Sequence, residues 1–255
     1  MRFDIITLFP EMFAPFLASG VTRRAYASDQ VAVRLWNPRD YAQGNYRRVD
    51  DRPFGGGPGM VMLVEPLQAC LNAIRADRAE DPATQVPLVL FSPIGKTLDH
   101  PAVEQWAQSP GAVLLCGRYE GIDQRFIDTH VDAQISLGDF VLSGGEIAAL
   151  ALLDAVTRLQ PGVLNDAGSH QLDSFNPSLD GLLDCPHYTR PEVWQGKEVP
   201  SVLMSGHHAQ IERWRRDQSL QITARHRPEL LAKARAAGRL DRKDEAVLAK
   251  IADGL

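Results

Sequence analysis

The chain has 255 residues, of which 44% are hydrophobic and 23% charged, a composition that excludes a disordered or low-complexity protein and suits one large domain or two small ones. Its apolar runs are shorter than the roughly 18 residues that a membrane span needs. Asp4 places an acidic residue where a signal peptide would be apolar, which argues against such a peptide. Three cysteines without a Cys-x-x-Cys pair favour a reducing cytoplasm. The net charge of −5 is uneven: residues 190–255 carry 13 Lys/Arg and 9 Asp/Glu, a net of +4, so the first 189 residues carry −9.

Strand and helix patterns alternate over the first 160 residues. Predicted strands cover residues 3–8, 31–36, 87–91, 112–116 and 133–137, and predicted helices cover 64–76, 99–107, 122–129 and 146–159. The last three strands are short runs rich in Val, Leu and Ile, which are typical of buried parallel strands. The order predicts an α/β fold with a parallel sheet.

The remaining chain changes character. Residues 165–180 are polar and rich in Ser, Asp, Gly and Asn, which indicates a linker or mobile loop. Helices are then predicted over residues 200–216, 229–237 and 241–252. The sequence therefore divides into a domain of residues 1–160, a linker of residues 161–180, and a small all-helical C-terminal domain of residues 181–255.

Three glycine-containing loops follow the last three predicted strands, at residues 92–96, 117–121 and 138–145. In a parallel sheet all three would emerge at the carboxyl edge, where open α/β sheets bind ligands. The loops match neither the Gly-x-Gly-x-x-Gly fingerprint nor a Walker A motif. They therefore favour an adenosine-containing ligand without phosphates over NAD or a nucleoside triphosphate.

A further glycine cluster, residues 54–60, follows no predicted strand. The arginines of residues 47–52, which precede it, are candidates for contacts with phosphates. A surface loop without function explains the same composition. The adjacent His207 and His208 have no further ligands at metal spacing, so we predict no metal site, and the sequence leaves a role for Mg²⁺ undecided.

Several long motifs together resemble one known family. They are WNPRD (residues 36–40), VDDRPFGGGPGM (49–60), GRYEG (117–121), GDFVLSGGE (138–146) and DCPHYTRP (184–191). In this order they resemble the tRNA (guanine-N1)-methyltransferases of the TrmD type, which belong to the SPOUT superfamily. The resemblance extends from Phe3 to about Leu231.

The resemblance implies a parallel sheet whose C-terminal part forms a deep trefoil knot. It implies an obligate homodimer with active sites shared between subunits, and a C-terminal domain that grips tRNA. The substrate would be the guanosine at tRNA position 37, next to the anticodon and preceded by another guanosine, and the cofactor S-adenosylmethionine. The implied cofactor-binding residues are Leu90, Phe91, Ser92, Pro93, Gly117, Tyr119, Glu120, Gly121, Ser136, Leu137, Gly138, Asp139, Phe140, Val141, Leu142, Gly144 and Gly145.

The resemblance also assigns the chemistry. Guanine N1 must lose a proton to become a nucleophile, and negative charge then spreads to O6. Family matching makes Asp173 of the motif LDSF (residues 172–175) the general base, so that residues 161–180 would form an active-site loop. It also places Arg158 at O6 and brings Glu120 to the target guanine or to the cofactor's charged end. From spacing alone, Asp173 also suits a solvated carboxylate, and Arg158 an i, i+4 pair with Asp154.

Two positions depart from the family pattern: Ile94 stands where a glutamine is usual, and Ala148 where proline is frequent. Two other functions stay open. One is a SPOUT methyltransferase for another RNA position or atom, and the other is a non-catalytic RNA-binding relative. Independently of these alternatives, four arginines of the C-terminal region are candidate phosphate contacts that would position the RNA without reading its sequence: Arg190, Arg213, Arg215 and Arg216.

Overall fold

The computed structural model describes residues 1–79, 85–164 and 170–253. The chain divides into two compact units, Met1–Leu164 and Asn165–Leu255. Within the described residues, no helix is both long and apolar enough to cross a membrane. The predicted polar segment at residues 165–180 lies partly outside the described residues, since 165–169 are not among them.

A five-stranded sheet forms the centre of the first unit. The strands of this unit are β1 (Arg2–Ile6), β2 (Ala32–Trp36), β3 (Asp50–Asp51), β4 (Val61–Met62), β5 (Leu88–Thr97), β6 (Gly111–Leu115) and β7 (Ala133–Ser136). The sheet has the order β2-β1-β6-β5-β7, and every neighbouring pair is parallel. Strands β3 and β4 form a separate antiparallel pair. The predicted α/β fold with a parallel sheet is confirmed.

Helices cover both faces of this sheet. They are α1 (Ala14–Leu17), α2 (Arg23–Ala27), α3 (Val64–Arg78), α4 (His100–Ala107), α5 (Gln124–His130) and α6 (Glu146–Thr157). Alternate residues of a strand point to opposite faces, so Phe3 and Ile5 pack with α6 while Ile6 packs with α3 and α5. Burial on both faces explains why the strands are continuously apolar rather than alternating.

A charged residue interrupts the apolar pattern of β1. Asp4 is fully buried, and the equally buried Arg78 donates from Nε to Asp4 Oδ2 at 2.6 Å. Trp36 donates from Nε1 to Asp4 Oδ1 at 2.7 Å, and Arg2 reaches the same oxygen at 2.8 Å. Because a buried charge is tolerated only when it is paired, this network fixes the end of α3 against β1 and β2.

Strand β5 continues through the segment predicted to be the first ligand loop. Phe91 and Lys96 both pair with Ile135 of β7, so residues 92–95 bulge out of the sheet before pairing resumes. Gly95 lies so close to β7 that a Cβ atom there would be 2.5 Å from the Ile135 backbone nitrogen. The prediction of a loop after residue 91 is corrected to an interruption inside a strand.

The second unit consists mainly of helices around a small core. Its elements are β8 (Val193–Trp194), β9 (Lys197–Glu198), α7 (His208–His226), α8 (Pro228–Ala236) and α9 (Arg242–Asp253), with 3-10 turns at Pro177–Leu179 and Ser201–Met204. Its core residues are Leu182, Leu220, Leu231, Ala234 and Leu248. The β8–β9 hairpin makes the expectation of an all-helical domain incomplete. The helix predicted over residues 200–216 has the wrong bounds, because Gly206, at φ 71°, separates a 3-10 turn from α7, which continues to His226.

Candidate active site

A cavity of about 280 Å³ opens at the interruption of β5 and at the carboxyl ends of β6 and β7. Sixteen of the predicted cofactor residues line it: Leu90, Phe91, Ser92, Pro93, Gly117, Tyr119, Glu120, Gly121, Ser136, Leu137, Gly138, Phe140, Val141, Leu142, Gly144 and Gly145. The seventeenth, Asp139, is exposed and does not line the cavity. The geometry therefore brings three separate loops together at one sheet edge and gives Asp139 no place in the cavity wall.

The sequence reasoning missed six lining residues: Arg118, Ile122, Ile127, Ile135, Ser143 and Ala148. The three isoleucines extend the apolar wall contributed by Leu90. No motif marked them, because only the fold brings them to the cavity: Ile135 from β7, Ile127 from α5 and Ile122 from the segment before α5. Of the two departures from the family pattern, Ala148 lines the cavity, whereas Ile94 is 82% exposed and does not.

Glycines allow two of these loops to approach each other closely. The Gly145 amide donates to the Gly117 carbonyl at 3.0 Å. A Cβ atom at Gly145 would lie 2.7 Å from the Cys116 Cα, and one at Gly144 would lie 2.2 Å from Arg118 Nε. Any side chain at either position would therefore push the loops apart.

A buried ion pair lies behind these glycines. Arg118 Nε is 2.9 Å from Glu146 Oε2, and the Thr7 hydroxyl donates to Glu146 Oε1 at 2.9 Å. Arg118 also donates from Nη1 to the Ser143 carbonyl at 3.2 Å, and its guanidinium lies 4.4 Å from the centre of the Phe9 ring. Burial, together with the Glu146 charge, raises the pKa of the Cys116 thiol well above its usual value.

The glycine cluster of residues 54–60, to which the sequence assigned no role, contacts the second loop of the cavity, residues 117–121. The Glu120 amide donates to the Met60 carbonyl at 3.0 Å, and the Met62 amide to the Gly121 carbonyl at 2.9 Å. Gly59, at φ 77°, lies against the Glu120 side chain, so a Cβ atom there would be 2.4 Å from Glu120 Cγ. Residues 50–62 thus form a hairpin whose base is attached to the cavity.

Tyr119 connects the same loop to the motif at residues 36–40. It has a positive φ of 63° and is 43% exposed, and Arg39 donates to its hydroxyl at 3.4 Å. Burial and the nearby Asp50 carboxylate raise the pKa of Tyr119. Its hydroxyl therefore lies between the Arg39 guanidinium and the Asp50 carboxylate, and it joins the motif at residues 36–40 to β3.

The two residues predicted to be catalytic belong to different units. Arg158 caps the C-terminal end of α6 in the first unit. Asp173 is half-buried in a turn of the second unit, where its carbonyl accepts from the Asn176 amide at 3.2 Å. The turn is held by hydrogen bonds from the Asp184 amide to Ser174 Oγ at 2.9 Å and from the Phe175 amide to the Leu182 carbonyl at 2.8 Å. Asp184 belongs to the motif at residues 184–191, so two family motifs are in contact here.

No group of three or more His, Cys, Asp or Glu side chains suited to a metal ion occurs among residues 1–79, 85–164 and 170–253. The two histidines noted from the sequence flank the start of α7: His207 precedes it and His208 is its first residue.

Comparison with known proteins identifies the family. The model of the family described as tRNA (Guanine-1)-methyltransferase TrmD matches residues 1–233. This chain belongs to that family. Proteins named tRNA (guanine-N(1)-)-methyltransferase are 77% identical in Paracidovorax citrulli, covering 98% of both chains, and 72% identical in Polaromonas sp., covering 98% of this chain and 97% of the relative. One from Bordetella pertussis is 56% identical over 99% of this chain and 98% of its own length.

Membership of the TrmD family confirms the resemblance inferred from the motifs, and it makes the chain an enzyme. The motifs around residues 117–121 and 138–146 form the cavity of this family member, and that of residues 49–60 forms the adjoining hairpin.

Proposed function

We propose that this chain transfers a methyl group from S-adenosylmethionine to N1 of the guanosine at tRNA position 37, next to the anticodon and preceded by another guanosine. One observation carries the proposal: in a chain whose family model spans residues 1–233, the separate family loops converge on a single cavity at the sheet edge. The three cysteines are buried and unpaired by disulfides, which supports a cytoplasmic location.

The cavity suits S-adenosylmethionine chemically. Its volume of about 280 Å³ is near the lower end of small-molecule sites, and apolar side chains and glycine backbone make up most of its wall. Glu120 is the one carboxylate among the lining residues, and the Arg118 charge is neutralised by Glu146. A lone negative charge beside an apolar wall complements a cationic ligand without phosphates. When bound, the cofactor supplies an electrophilic methyl group.

The proposed mechanism assigns the proton of guanine N1 to Asp173. A free aspartate, with a pKa of about 3.9, is too weak a base for guanine by itself. Arg158 would offset this weakness by stabilising the negative charge that develops on O6. This stabilisation makes guanine N1 more acidic, so the proton is transferred to the carboxylate more readily. Glu120, at the cavity wall, would orient the guanine or the cationic end of the cofactor.

A homodimer with shared sites is part of the proposal, and exposed apolar side chains near the cavity support it. Val141 is 85% exposed, Phe140 55% and Ile147 48%. Adjacent exposed apolar residues on a soluble enzyme mark an interaction surface. A second copy of the chain that covers them would complete the wall of the cavity and bring Asp173 of one subunit to Arg158 of the other.

We also propose that the sheet region threads as a trefoil knot and that the second unit grips tRNA. The Gly145–Gly117 hydrogen bond supports the knot, since it joins the loops that threading would bring together. For tRNA binding, the candidate arginines separate into two groups. Arg213 and Arg216 form ion pairs with Asp244, whereas Arg190 and Arg215 are exposed. Of the four candidates, we therefore retain Arg190 and Arg215 as phosphate contacts.

The test is methyl transfer from labelled S-adenosylmethionine to tRNA transcripts carrying guanosine or adenosine at position 37. We expect label only on the guanosine transcript, and N1-methylguanosine after digestion. Transfer that does not depend on the base at this position would indicate a methyltransferase for another position. Binding of the transcript without any transfer would indicate a non-catalytic relative.

A further inference from the structure

An exposed aromatic and basic surface lies on the segment that precedes β4. Phe54 is 100% exposed and Tyr46 is 89% exposed. Arg47, Arg48 and Arg52, which are exposed as well, lie between them along the chain. We call residues 46–60 the basic arm. A single exposed apolar residue needs no explanation, but two exposed aromatics among three arginines form a pattern that packing does not account for.

The base of this arm is fixed to the cavity. Strand β3 pairs with β4, the Glu120 amide donates to the Met60 carbonyl, and Gly59 packs on the Glu120 side chain. The arm therefore projects from the protein beside residues 117–121, the second loop of the cavity. A surface attached at this point adjoins the substrate of the proposed reaction rather than a remote face.

The arginines of the arm are available to a ligand. Arg47 lies 3.3 Å from Asp40 and Arg48 lies 3.2 Å from Asp51, and all four side chains are more than half exposed. Exposed pairs of this kind contribute little to stability, so exchanging a carboxylate for a phosphate costs little. An arginine side chain can also form two parallel hydrogen bonds to one phosphate, and this geometry adds specificity to the contact.

We propose that the basic arm binds the unpaired nucleotides beside the target guanine, with Phe54 stacked on one of their bases and the arginines on the flanking phosphates. This inference rests on the proposed function. An enzyme that acts on a base edge must take that base out of its stack, which leaves a neighbouring base with an uncovered face. Proteins cover such faces in single-stranded RNA with aromatic side chains, while basic groups follow the backbone.

The first test compares Phe54→Ala with Phe54→Trp, and uses Val21→Ala as the control for loss of another exposed apolar side chain in the same unit, since Val21 is 42% exposed. We expect Phe54→Ala to bind the guanosine transcript about tenfold more weakly, as loss of one base stack predicts, and Phe54→Trp to bind as the wild type. Affinity for S-adenosylmethionine alone and the melting temperature should be unchanged in all three variants.

The second test locates the stacked base. Transcripts with a single abasic site at each unpaired anticodon-loop position other than the target are bound to the wild type and to Phe54→Ala. At one position the tenfold difference between the two proteins should disappear, because the stacking partner is already missing. A difference that persists on every abasic transcript, or Phe54→Ala binding as the wild type, would overturn the proposal.

The arginines have a separate readout. Arg52→Gln should lower the slope of log affinity against log salt by about one unit, which is the effect of losing one phosphate contact. An unchanged slope would remove Arg52 from the interface. Failure of the arm is distinguishable from failure of the proposed function, since wild-type methylation of the guanosine transcript tests the latter independently of any variant.

Discussion

Arg118 and Glu146 form an ion pair of 2.9 Å that joins two of the loops lining the cavity. Glu146 is fully buried, and Arg118 also donates to the Ser143 carbonyl. One guanidinium thus holds the start of α6 and the glycine turn before it against the loop that follows β6. Arg118 lines the cavity and Glu146 lies behind it, so the pair contributes to the shape of the cavity.

Breaking this pair from one side should be more damaging than removing it altogether. Among the described residues, Arg118→Met leaves the buried Glu146 carboxylate with Thr7 as its remaining partner. We expect a loss of about 3–5 kcal/mol in the free energy of unfolding. Combining it with Glu146→Gln should cost less than the sum of the single variants, measured by urea denaturation. Arg125→Met is the matched control, because Arg125 pairs with Asp123 on the surface with 76% of its side chain exposed; its midpoint should not move. Additive single effects would show that the two groups act independently.

Asp173 and Arg158 should be separable from cofactor binding. We expect Asp173→Ala to bind S-adenosylmethionine as the wild type, measured by calorimetry, and to lose about 10²–10⁴ in turnover, the usual contribution of a general base. Normal turnover would remove Asp173 as the base. Mixing this variant with Arg158→Ala should restore part of the activity, since one mixed-dimer site would contain both intact residues. No recovery would place the pair within one subunit.

The sequence predicted the layers of the fold because their signals are local. The apolar run predicted β2 to within one residue. For β5 the strand extends beyond the apolar run, because its pairing with β7 resumes at Lys96 after a bulge. The relation of Gly59 to Glu120 was beyond sequence reasoning, since it joins positions about sixty residues apart through a hydrogen-bonded hairpin. Motif matching identified the cavity loops, but it also included Asp139, which is exposed and does not line the cavity.

The stability of the second unit should depend on acid. Asp244 is buried, which by itself raises the pKa of its carboxyl, but hydrogen bonds from Arg216 and Arg213 outweigh burial and lower the pKa below its usual value. A group with a lowered folded pKa stabilises the fold above its unfolded pKa of about 3.9 and loses this contribution as the pH falls through the folded pKa.

We therefore expect Asp244→Asn to destabilise the chain at pH 7 and to reduce the fall in stability below about pH 4. Urea midpoints of the wild type and the variant across pH 2.5–7, a range chosen around that pKa of about 3.9, test this. Glu229→Gln is the control, because Glu229 pairs with Arg227 on the surface with half of its side chain exposed. Parallel curves for wild type and Asp244→Asn would contradict the assignment.

Gly59 and Gly56 offer a matched pair for the contact between the hairpin and the cavity. Their φ angles are 77° and 76°, so alanine at either position pays the same left-handed strain of about 1–2 kcal/mol. Only at Gly59 would the new Cβ meet another group, the Glu120 side chain at 2.4 Å, while at Gly56 nothing lies within 4 Å.

Gly59→Ala should thus displace Glu120 and lower turnover on the guanosine transcript well below that of Gly56→Ala. When each glycine variant is combined with Glu120→Ala, the obstructing side chain is absent. The two glycine variants should then lower turnover by the same factor. A difference that persists in that background would mean that Gly59 acts through the backbone of the hairpin. Equal effects already with Glu120 present would mean that the position of this carboxylate does not limit methyl transfer.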